Sequence, residues 1–165
     1  MLVDVGGGYG HDLEEFHGKY PDAPGRLVLQ DLARVLDKVH RRSAAIQYME
    51  YDFLTEQPVW GARAYYLHQI LHDYPDERCA DIVERVKGAM KPGYSKLLIN
   101  EHIIPDVGAS WEATYLDIYM MTLFSARERT ENEWRNLLEK RCGMKILAFW
   151  NPGSGVEGII ECELA

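Results

Sequence analysis

The fold class is decided by residues 2–10, which read LVDVGGGYG. The apolar residues before the glycines predict a buried strand, and the glycines predict a tight turn into a helix, where the backbone can approach a ligand. The spacing GGGxG differs from the GxGxxG turn that contacts a pyrophosphate. Asp4, inside the strand, would repel phosphate but suits the ammonium group of a ligand that carries an amino acid. The segment therefore predicts either a binding turn for such a ligand or a turn that only joins strand to helix.

Strand and helix patterns alternate along the rest of the chain. Apolar runs predict seven strands, at residues 2–5, 27–30, 46–51, 64–67, 96–100, 145–149 and 156–164. Residues 76–90 carry apolar side chains at helical spacing and are followed by a Lys-Pro-Gly stop signal at 91–93. The alternation predicts an α/β fold, a doubly wound, mostly parallel seven-stranded sheet that binds ligands beyond the carboxyl ends of its strands. The short link at residues 151–155 predicts an antiparallel C-terminal hairpin at one edge.

The composition excludes several classes of protein. The 165 residues fit one domain, and 26 acidic against 18 basic side chains give a formal charge of -8, without the basic excess that nucleic-acid binding needs. No apolar run approaches the ~18 residues of a membrane span, and there is no cleavable leader pattern. We therefore expect no nucleic acid or membrane partner and a cytoplasmic location. Cys79, Cys142 and Cys162 lack metal-ligand spacing and are predicted to be reduced core thiols.

Acidic residues follow two further predicted strands. Asp31 stands about 20 residues beyond the glycines, where a carboxylate accepts hydrogen bonds from ribose hydroxyls, and Asp52 and Phe53 follow the third strand. Each acid alone is also compatible with a solvated loop. Together with the glycine turn, and with no lysine or arginine to neutralise a phosphate, they favour S-adenosylmethionine over a nicotinamide cofactor.

Six short motifs occur in a characteristic order: LVDVGGG at 2–8, QDL at 30–32, DF at 52–53, ILHDYPDE at 70–77, NE at 100–101 and ERT at 128–130. With these motifs in this order, the chain resembles the catalytic domain of S-adenosylmethionine-dependent O-methyltransferases of the plant caffeic acid type and their fungal natural-product relatives. The resemblance implies a class I methyltransferase (Rossmann-like) fold, with residues 1–165 as the catalytic domain. It also implies that the family's N-terminal dimerisation domain is absent from this chain and that the full-length protein is a homodimer.

The resemblance implies a catalytic base, His72, oriented by Glu101 and Glu128. A phenol with a pKa near 10 is ionised about one part in a thousand at pH 7, which handicaps its attack on a methyl sulfonium by about 4 kcal/mol. A neutral histidine can remove this proton when a carboxylate fixes its tautomer. The expected reaction is methyl transfer to a hydroxyl, expected to be phenolic, of a small aromatic or polyketide-like acceptor.

The remaining site residues are also implied by the resemblance. The cofactor, with S-adenosylhomocysteine as its product, is expected at Asp4, Gly6, Gly8, Asp31, Asp52 and Phe53. The acceptor is expected at Asp73, Asp117, Met120 and Phe124, although the aromatic and methionine-rich stretch 111–124 is equally typical of core. Without the N-terminal domain, Met120, Met121 and Phe124 are expected to be more open to water. His68, Tyr9 and Tyr119 depart from the family pattern, and His68 stands where the family is often basic.

Metal chemistry and two other functions are alternatives to this assignment. His68 and His72 have the i, i+4 spacing of zinc ligands on a helix, but residues 64–67 read as a strand and no HExxH glutamate is present. Small catechol methyltransferases use magnesium, which the resembled family does not need, so no metal is expected. The alternatives are a relative that binds S-adenosylmethionine but catalyses a dehydration or pericyclic reaction, and a non-catalytic regulatory module.

Overall fold

The computed structural model describes residues 1–124, 126–151 and 157–165, without the side chain of Phe124. The strands are β1 (Leu2–Val5), β2 (Leu27–Asp31), β3 (Ile46–Glu50), β4 (Ala64–His68), β5 (Lys96–Ile104), β6 (Arg129–Thr130), β7 (Met144–Trp150) and β8 (Glu157–Leu164). The helices are α1 (His11–Lys19), α2 (Ala33–Leu36), α3 (Asp76–Ala89), α4 (Trp111–Phe124) and α5 (Glu131–Arg135). A 3-10 turn covers Leu71–Asp73, and a π-helical turn, Asn136–Arg141, continues α5.

The sheet has the order β3-β2-β1-β4-β5-β8-β7, and β6 pairs only with the end of β5. The first five strands of this order are parallel, and β8 runs antiparallel to both β5 and β7. The predicted doubly wound, mostly parallel sheet and its antiparallel C-terminal hairpin are confirmed. Because the winding reverses at β1, ligands of such a sheet bind at the carboxyl ends of β1 and its neighbours.

Two strands differ from the sequence prediction in an instructive way. β5 continues four residues past the predicted end at Asn100, so Glu101 lies inside the strand rather than at its end. The extension has partners on two sides, β8 opposite Glu101 and His102, and β6 opposite Ile103 and Ile104. β6 was not predicted because two residues carry no readable pattern. Residues 152–156, which include the predicted start of the last strand, lie outside the described residues.

The main core lies between the sheet and α3. The predicted face of α3 is buried, and the helix ends as predicted, since Met90 is extended and Gly93 has a φ of +69°. All three cysteines are buried and free of disulfides, which agrees with the prediction of core thiols. Among the described residues, no helix combines the length and apolarity that crossing a membrane requires.

Candidate active site

The glycine turn after β1 is tight enough to require glycine. Gly6 and Gly8 have φ values of +73° and +61°, a region that other residues seldom adopt. At Gly7 a Cβ atom would lie 2.2 Å from Oδ2 of Asp4, so the turn backbone passes directly over that carboxylate. The turn therefore presents bare backbone above a buried acid at the carboxyl end of β1.

Asp4 is a buried acid at the carboxyl end of β1. Its side chain is 1% exposed, and neither carboxylate oxygen has a hydrogen-bond partner among the described residues. Burial raises the pKa of Asp4 to about 7, with a further rise from Asp12 and Asp31 and an opposing effect from His68. A buried unpaired carboxylate is costly, and an ammonium group of a ligand would relieve that cost. This orphaned acid fits the amino-acid part of S-adenosylmethionine.

Asp31, the last residue of β2, is held in place by the backbone. Its Oδ2 accepts a hydrogen bond from the Gly8 N–H at 2.8 Å, and its Oδ1 accepts one from the Leu32 N–H at 2.7 Å. A carboxylate oxygen has a second lone-pair site, so both oxygens remain able to accept from a ribose hydroxyl. The contact with Gly8 ties the predicted ribose acid directly to the glycine turn.

Phe53 and Asp52 follow β3 but differ in their surroundings. Phe53 lies beside the glycine turn, 3.6 Å from where a Cβ of Gly6 would stand, and packs edge-to-face on Tyr74 with centroids 5.9 Å apart. Asp52 is exposed, and its Oδ1 accepts a hydrogen bond from the Leu54 N–H. The structure thus brings Phe53 to the turn with Gly6, whereas the Asp52 carboxylate caps its own turn.

His68, the last residue of β4, lies between two carboxylates. Its Nδ1 is 2.5 Å from Asp12 Oδ2 at the start of α1, and its Nε2 is 2.7 Å from Glu157 Oε2 at the start of β8. The hydrogen bond to Asp12 and then that to Glu157, together with the two negative charges, outweigh burial and raise the pKa of His68 to about 9. With acceptors at both nitrogens, His68 is an imidazolium. It lies in a strand, so it does not share a helix face with His72.

His72 lies in the 3-10 turn after β4, with its side chain 11% exposed. Its Nδ1 is 3.1 Å from Glu128 Oε1 and 3.7 Å from Glu101 Oε2, and its Nε2 is 3.6 Å from Asp73 Oδ1. Burial lowers the pKa of His72, but the hydrogen bond to Glu128 and the charges of the three carboxylates outweigh it, so the pKa is raised. The Glu128 contact assigns the proton to Nδ1, which leaves Nε2 as the acceptor.

The two glutamates hold different parts of the His72 turn. Glu101 is fully buried, and its Oε1 accepts hydrogen bonds from the N–H groups of Ile70 and Leu71 at 2.9 and 2.8 Å and a longer one from His72 at 3.4 Å. Burial raises the pKa of Glu101 to about 7, against the His72 charge and the Leu71 N–H. Glu101 therefore caps the turn, and Glu128 is the direct partner of the imidazole.

The helix α4 was expected to line the acceptor pocket. Asp117 accepts a hydrogen bond from the Glu128 N–H at 2.9 Å, so it anchors the segment that carries Glu128. The expectation that Met120 is open to water is wrong, because it is 5% exposed, whereas Met121 is 57% exposed as expected. Among the described side chains of α4, Met120 is the buried one, Ala113, Leu116 and Asp117 are half-buried, and the others are exposed. The Phe124 side chain lies outside the described residues.

One group of side chains is compact enough to hold a metal ion. Among the described residues, only His72, Glu101 and Glu128 form a set of His, Cys, Asp or Glu side chains whose ligand atoms lie within 4.8 Å of one another. The same three residues are those that the family resemblance assigns to proton transfer. The expected absence of a metal stays a prediction.

Sequence reasoning missed one buried residue of the site, Arg129. It is 1% exposed and binds the turn that carries His72. Both partners of its ion pair lie inside motifs that the sequence shows, since Arg129 belongs to ERT and Asp76 to HDYPDE. Nothing in the sequence indicates that these two residues contact each other.

The strand order, the buried acid beneath a glycine turn and the acid ending β2 are typical of the class I methyltransferase fold. Residues 1–144 match the family of the O-methyltransferase domain, and the chain belongs to this family. It is 48% identical over 163 residues to O-methyltransferase asqD of Emericella nidulans, covering 98% of this chain and 42% of asqD. The chain thus spans less than half the length of this curated relative.

Solved structures with the same fold cover the whole chain or nearly so. LepI in complex with SAM superimposes with a TM-score of 0.92 at 34% identity, over 100% of this chain and 43% of LepI. OxaC in complex with SAH and oxaline gives a TM-score of 0.91 at 32% identity, over 99% of this chain and 42% of OxaC. A structure described as a pericyclic reaction enzyme has a TM-score of 0.92 and 34% identity, over 100% of this chain and 43% of that protein. The predicted class I methyltransferase fold is confirmed.

Proposed function

We propose that residues 1–165 are the catalytic domain of an S-adenosylmethionine-dependent O-methyltransferase that methylates a phenolic hydroxyl of a small natural product. The observation that carries the proposal is the position of the His72 turn beside the glycine turn. Ile70 Cδ1 is 2.7 Å from where a Cβ of Gly6 would stand, and Tyr74 packs on Phe53. His72 lies between Ile70 and Tyr74 in the chain, so the base turn borders the proposed cofactor site.

The proposed cofactor residues are Asp4, Gly6, Gly8, Asp31, Asp52 and Phe53. Asp4 pairs with the ligand ammonium, and Asp31 accepts hydrogen bonds from the ribose hydroxyls. Phe53 provides an apolar surface beside Gly6 for the adenine ring of the cofactor. When bound, S-adenosylmethionine supplies a methyl group on a positively charged sulfonium. Asp52 differs from the other members, because its carboxylate is exposed and caps its own turn.

Proton removal is the task of His72. Its Nε2 accepts the proton of the acceptor hydroxyl, and its Nδ1–H donates to Glu128, whose charge stabilises the imidazolium that forms. Glu101 keeps the turn in place by accepting hydrogen bonds from the turn's backbone N–H groups, and once ionised it adds a second negative charge 3.7 Å from Nδ1. The raised pKa of His72 suits a base that must compete with a phenol.

The acceptor is proposed to lie between the His72 turn and α4, in contact with Asp73, Asp117, Met120 and Phe124. Asp73 lies close to the reacting nitrogen, with its carboxylate 3.6 Å from His72 Nε2. The full-length protein is proposed to be a homodimer, because several large apolar side chains of α4 are exposed and favour burial against a partner. They are Trp111, Tyr115, Ile118, Met121 and Leu123.

A second candidate is an S-adenosylmethionine-binding enzyme that catalyses a pericyclic reaction or a dehydration. The likeness to a pericyclic reaction enzyme at a TM-score of 0.92 favours it. Incubation of the full-length protein with methyl-labelled S-adenosylmethionine and a panel of phenols, followed by mass spectrometry, separates the two. Methyl transfer predicts a labelled ether and S-adenosylhomocysteine in equal amounts. A tightly bound, unconsumed cofactor with every phenol would contradict it and favour the second candidate or a regulatory module.

A further inference from the structure

The turn that carries His72 is held at its carbonyl groups by one buried arginine. Nη1 of Arg129 donates a hydrogen bond to the Leu71 carbonyl at 2.9 Å, and Nη2 donates one to the Tyr74 carbonyl at 2.8 Å. These two carbonyls flank His72 and Asp73 in the chain. The guanidinium therefore spans the base of the turn.

Arg129 is itself fixed on its remaining sides. Its Nε and Nη2 both donate to Asp76 Oδ1, at 3.1 and 2.9 Å, and its guanidinium carbon lies 5.1 Å from the centre of the buried Trp134 ring. A planar guanidinium with several donors used in set directions has little freedom to move. A lysine at this position would offer a flexible ammonium that cannot bridge the same three oxygens at once.

The opposite side of the turn is held by Glu101, which accepts from its backbone N–H groups. Arg129 and Glu101, which hold the two sides of the turn, lie on paired strands. Arg129 in β6 pairs with Ile103 in β5, two residues beyond Glu101. Glu128, which contacts the imidazole, directly precedes Arg129 at the start of β6. Backbone and ring of His72 are thus positioned by the same pair of strands.

We propose that Arg129 is a positioning residue for proton transfer: it sets the His72 turn so that Nδ1 stays on Glu128 and Nε2 faces the acceptor. The inference rests on the proposed role of His72 as the base. The competing interpretation is a buried ion pair that only stabilises the fold, and such pairs are common without a catalytic role. Replacement of the arginine distinguishes the two interpretations. A positioning role predicts a change in the His72 ring and in the rate on an acceptor that needs a base, whereas a purely structural role does not.

The chain offers a matched control in Arg127. It also forms an ion pair with Asp76, at 3.7 Å, and a second one with Glu133, but it is half exposed. Arg129→Lys and Arg129→Met are therefore compared with Arg127→Met in the full-length protein. If Arg129→Met does not fold, Asp76→Asn, which removes the charge that fixes the guanidinium, is measured in its place.

The test uses two acceptors and two readouts that are independent of turnover. Rates are measured with unsubstituted phenol, which needs a base, and with 4-nitrophenol, which is largely ionised at mildly alkaline pH. Affinity for S-adenosylhomocysteine is measured by calorimetry, and nitrogen-15 NMR of the His72 ring reports its tautomer and its pKa.

We expect Arg129→Lys to lower the rate on phenol about tenfold or more, since small misplacements of a catalytic group have effects of this size. The rate on 4-nitrophenol and the cofactor affinity change less than about twofold, the His72 ring loses its Nδ1–H signature, and Arg127→Met matches the wild type. Equal losses in both rates and in affinity, or an unchanged His72 ring, would overturn the inference. A wild-type protein that methylates neither phenol would instead contradict the proposed function, while the ring signals would still decide whether Arg129 positions His72.

Discussion

The buried carboxylate of Asp4 leads to a prediction that couples pH, stability and cofactor affinity. Its pKa is raised from 3.8 to about 7, chiefly by burial. In the unfolded chain the group ionises near its ordinary pKa, so between these two values the folded state holds a proton that the unfolded state has lost. Folding stability without ligand therefore falls as the pH rises through this window. The difference corresponds to about 4 kcal/mol once Asp4 is ionised in both states.

Replacing Asp4 by Asn removes the buried charge but leaves a buried amide without partners. The amide costs about 1–3 kcal/mol, so at mildly alkaline pH the net gain in stability of Asp4→Asn is about 1–3 kcal/mol. Urea denaturation at several pH values measures it. The variant should lose the Asp4 share of the decline between about pH 4 and pH 7, and the share of Glu101, whose pKa is also raised to about 7, should remain.

The affinity for the cofactor should rise with pH, whereas folding stability falls. A ligand ammonium favours the ionised acid, so binding of S-adenosylhomocysteine to the wild type strengthens as the pH rises through 7 and releases a proton. Asp4→Asn should weaken this binding at least tenfold at alkaline pH, as expected for loss of a buried charged partner. Methylthioadenosine, which has the same nucleoside but no amino-acid group, is the matched control and should bind both proteins alike. Equal losses for the two ligands, or no loss for either, would refute the assignment of Asp4 to the ammonium group.

Three further predictions concern other parts of the site. Asp31→Ala should lower affinity for S-adenosylhomocysteine about tenfold or more in calorimetry, because two hydrogen bonds to ribose are lost and the Gly8 N–H loses its acceptor; unchanged affinity would contradict the ribose assignment. The folded pKa of His68, about 9, lies above its ordinary 6.5, so its stabilisation is complete below pH 6.5 and is lost as the pH rises through 9. Thermal unfolding of His68→Asn should lack this alkaline decline, whereas an identical decline in the variant would place it elsewhere. Treatment with a chelator should leave methyl transfer unchanged, although His72, Glu101 and Glu128 lie close enough to hold a metal; lost activity that zinc or magnesium restores would make them ligands instead.

Local patterns were sufficient for most of the fold. The face and the end of α3 could be predicted because each depends on residues close in sequence, as could the alternation that gives a parallel sheet. The length of β5 could not, because its last four residues are ordered by partners in β6 and β8 far along the chain. The buried state of Met120 was missed for a related reason, since α4 is apolar around most of its surface and its inward side cannot be read from spacing.

In the site, too, local features could be predicted and tertiary contacts could not. The acids at strand ends were predicted because parallel strands bring their carboxyl ends to one edge. The pairing of Arg129 with Asp76, and of His68 with Asp12 and Glu157, depends on tertiary contacts that no local pattern contains. Glu101 was assigned to the imidazole of His72 on the family resemblance, whereas its closer contacts are with the backbone of the turn.

The central claim, that His72 removes the acceptor proton, is tested most directly by His72→Ala in the full-length protein with a series of phenols of different pKa. The account predicts a loss on the order of a hundredfold or more with phenols whose pKa is near 10, a loss that shrinks steadily as the phenol becomes more acidic, and nearly unchanged affinity for S-adenosylhomocysteine. An undiminished rate on a phenol of high pKa, or a loss that is the same for every phenol, would contradict it and leave simple proximity of acceptor and methyl donor as the source of the rate.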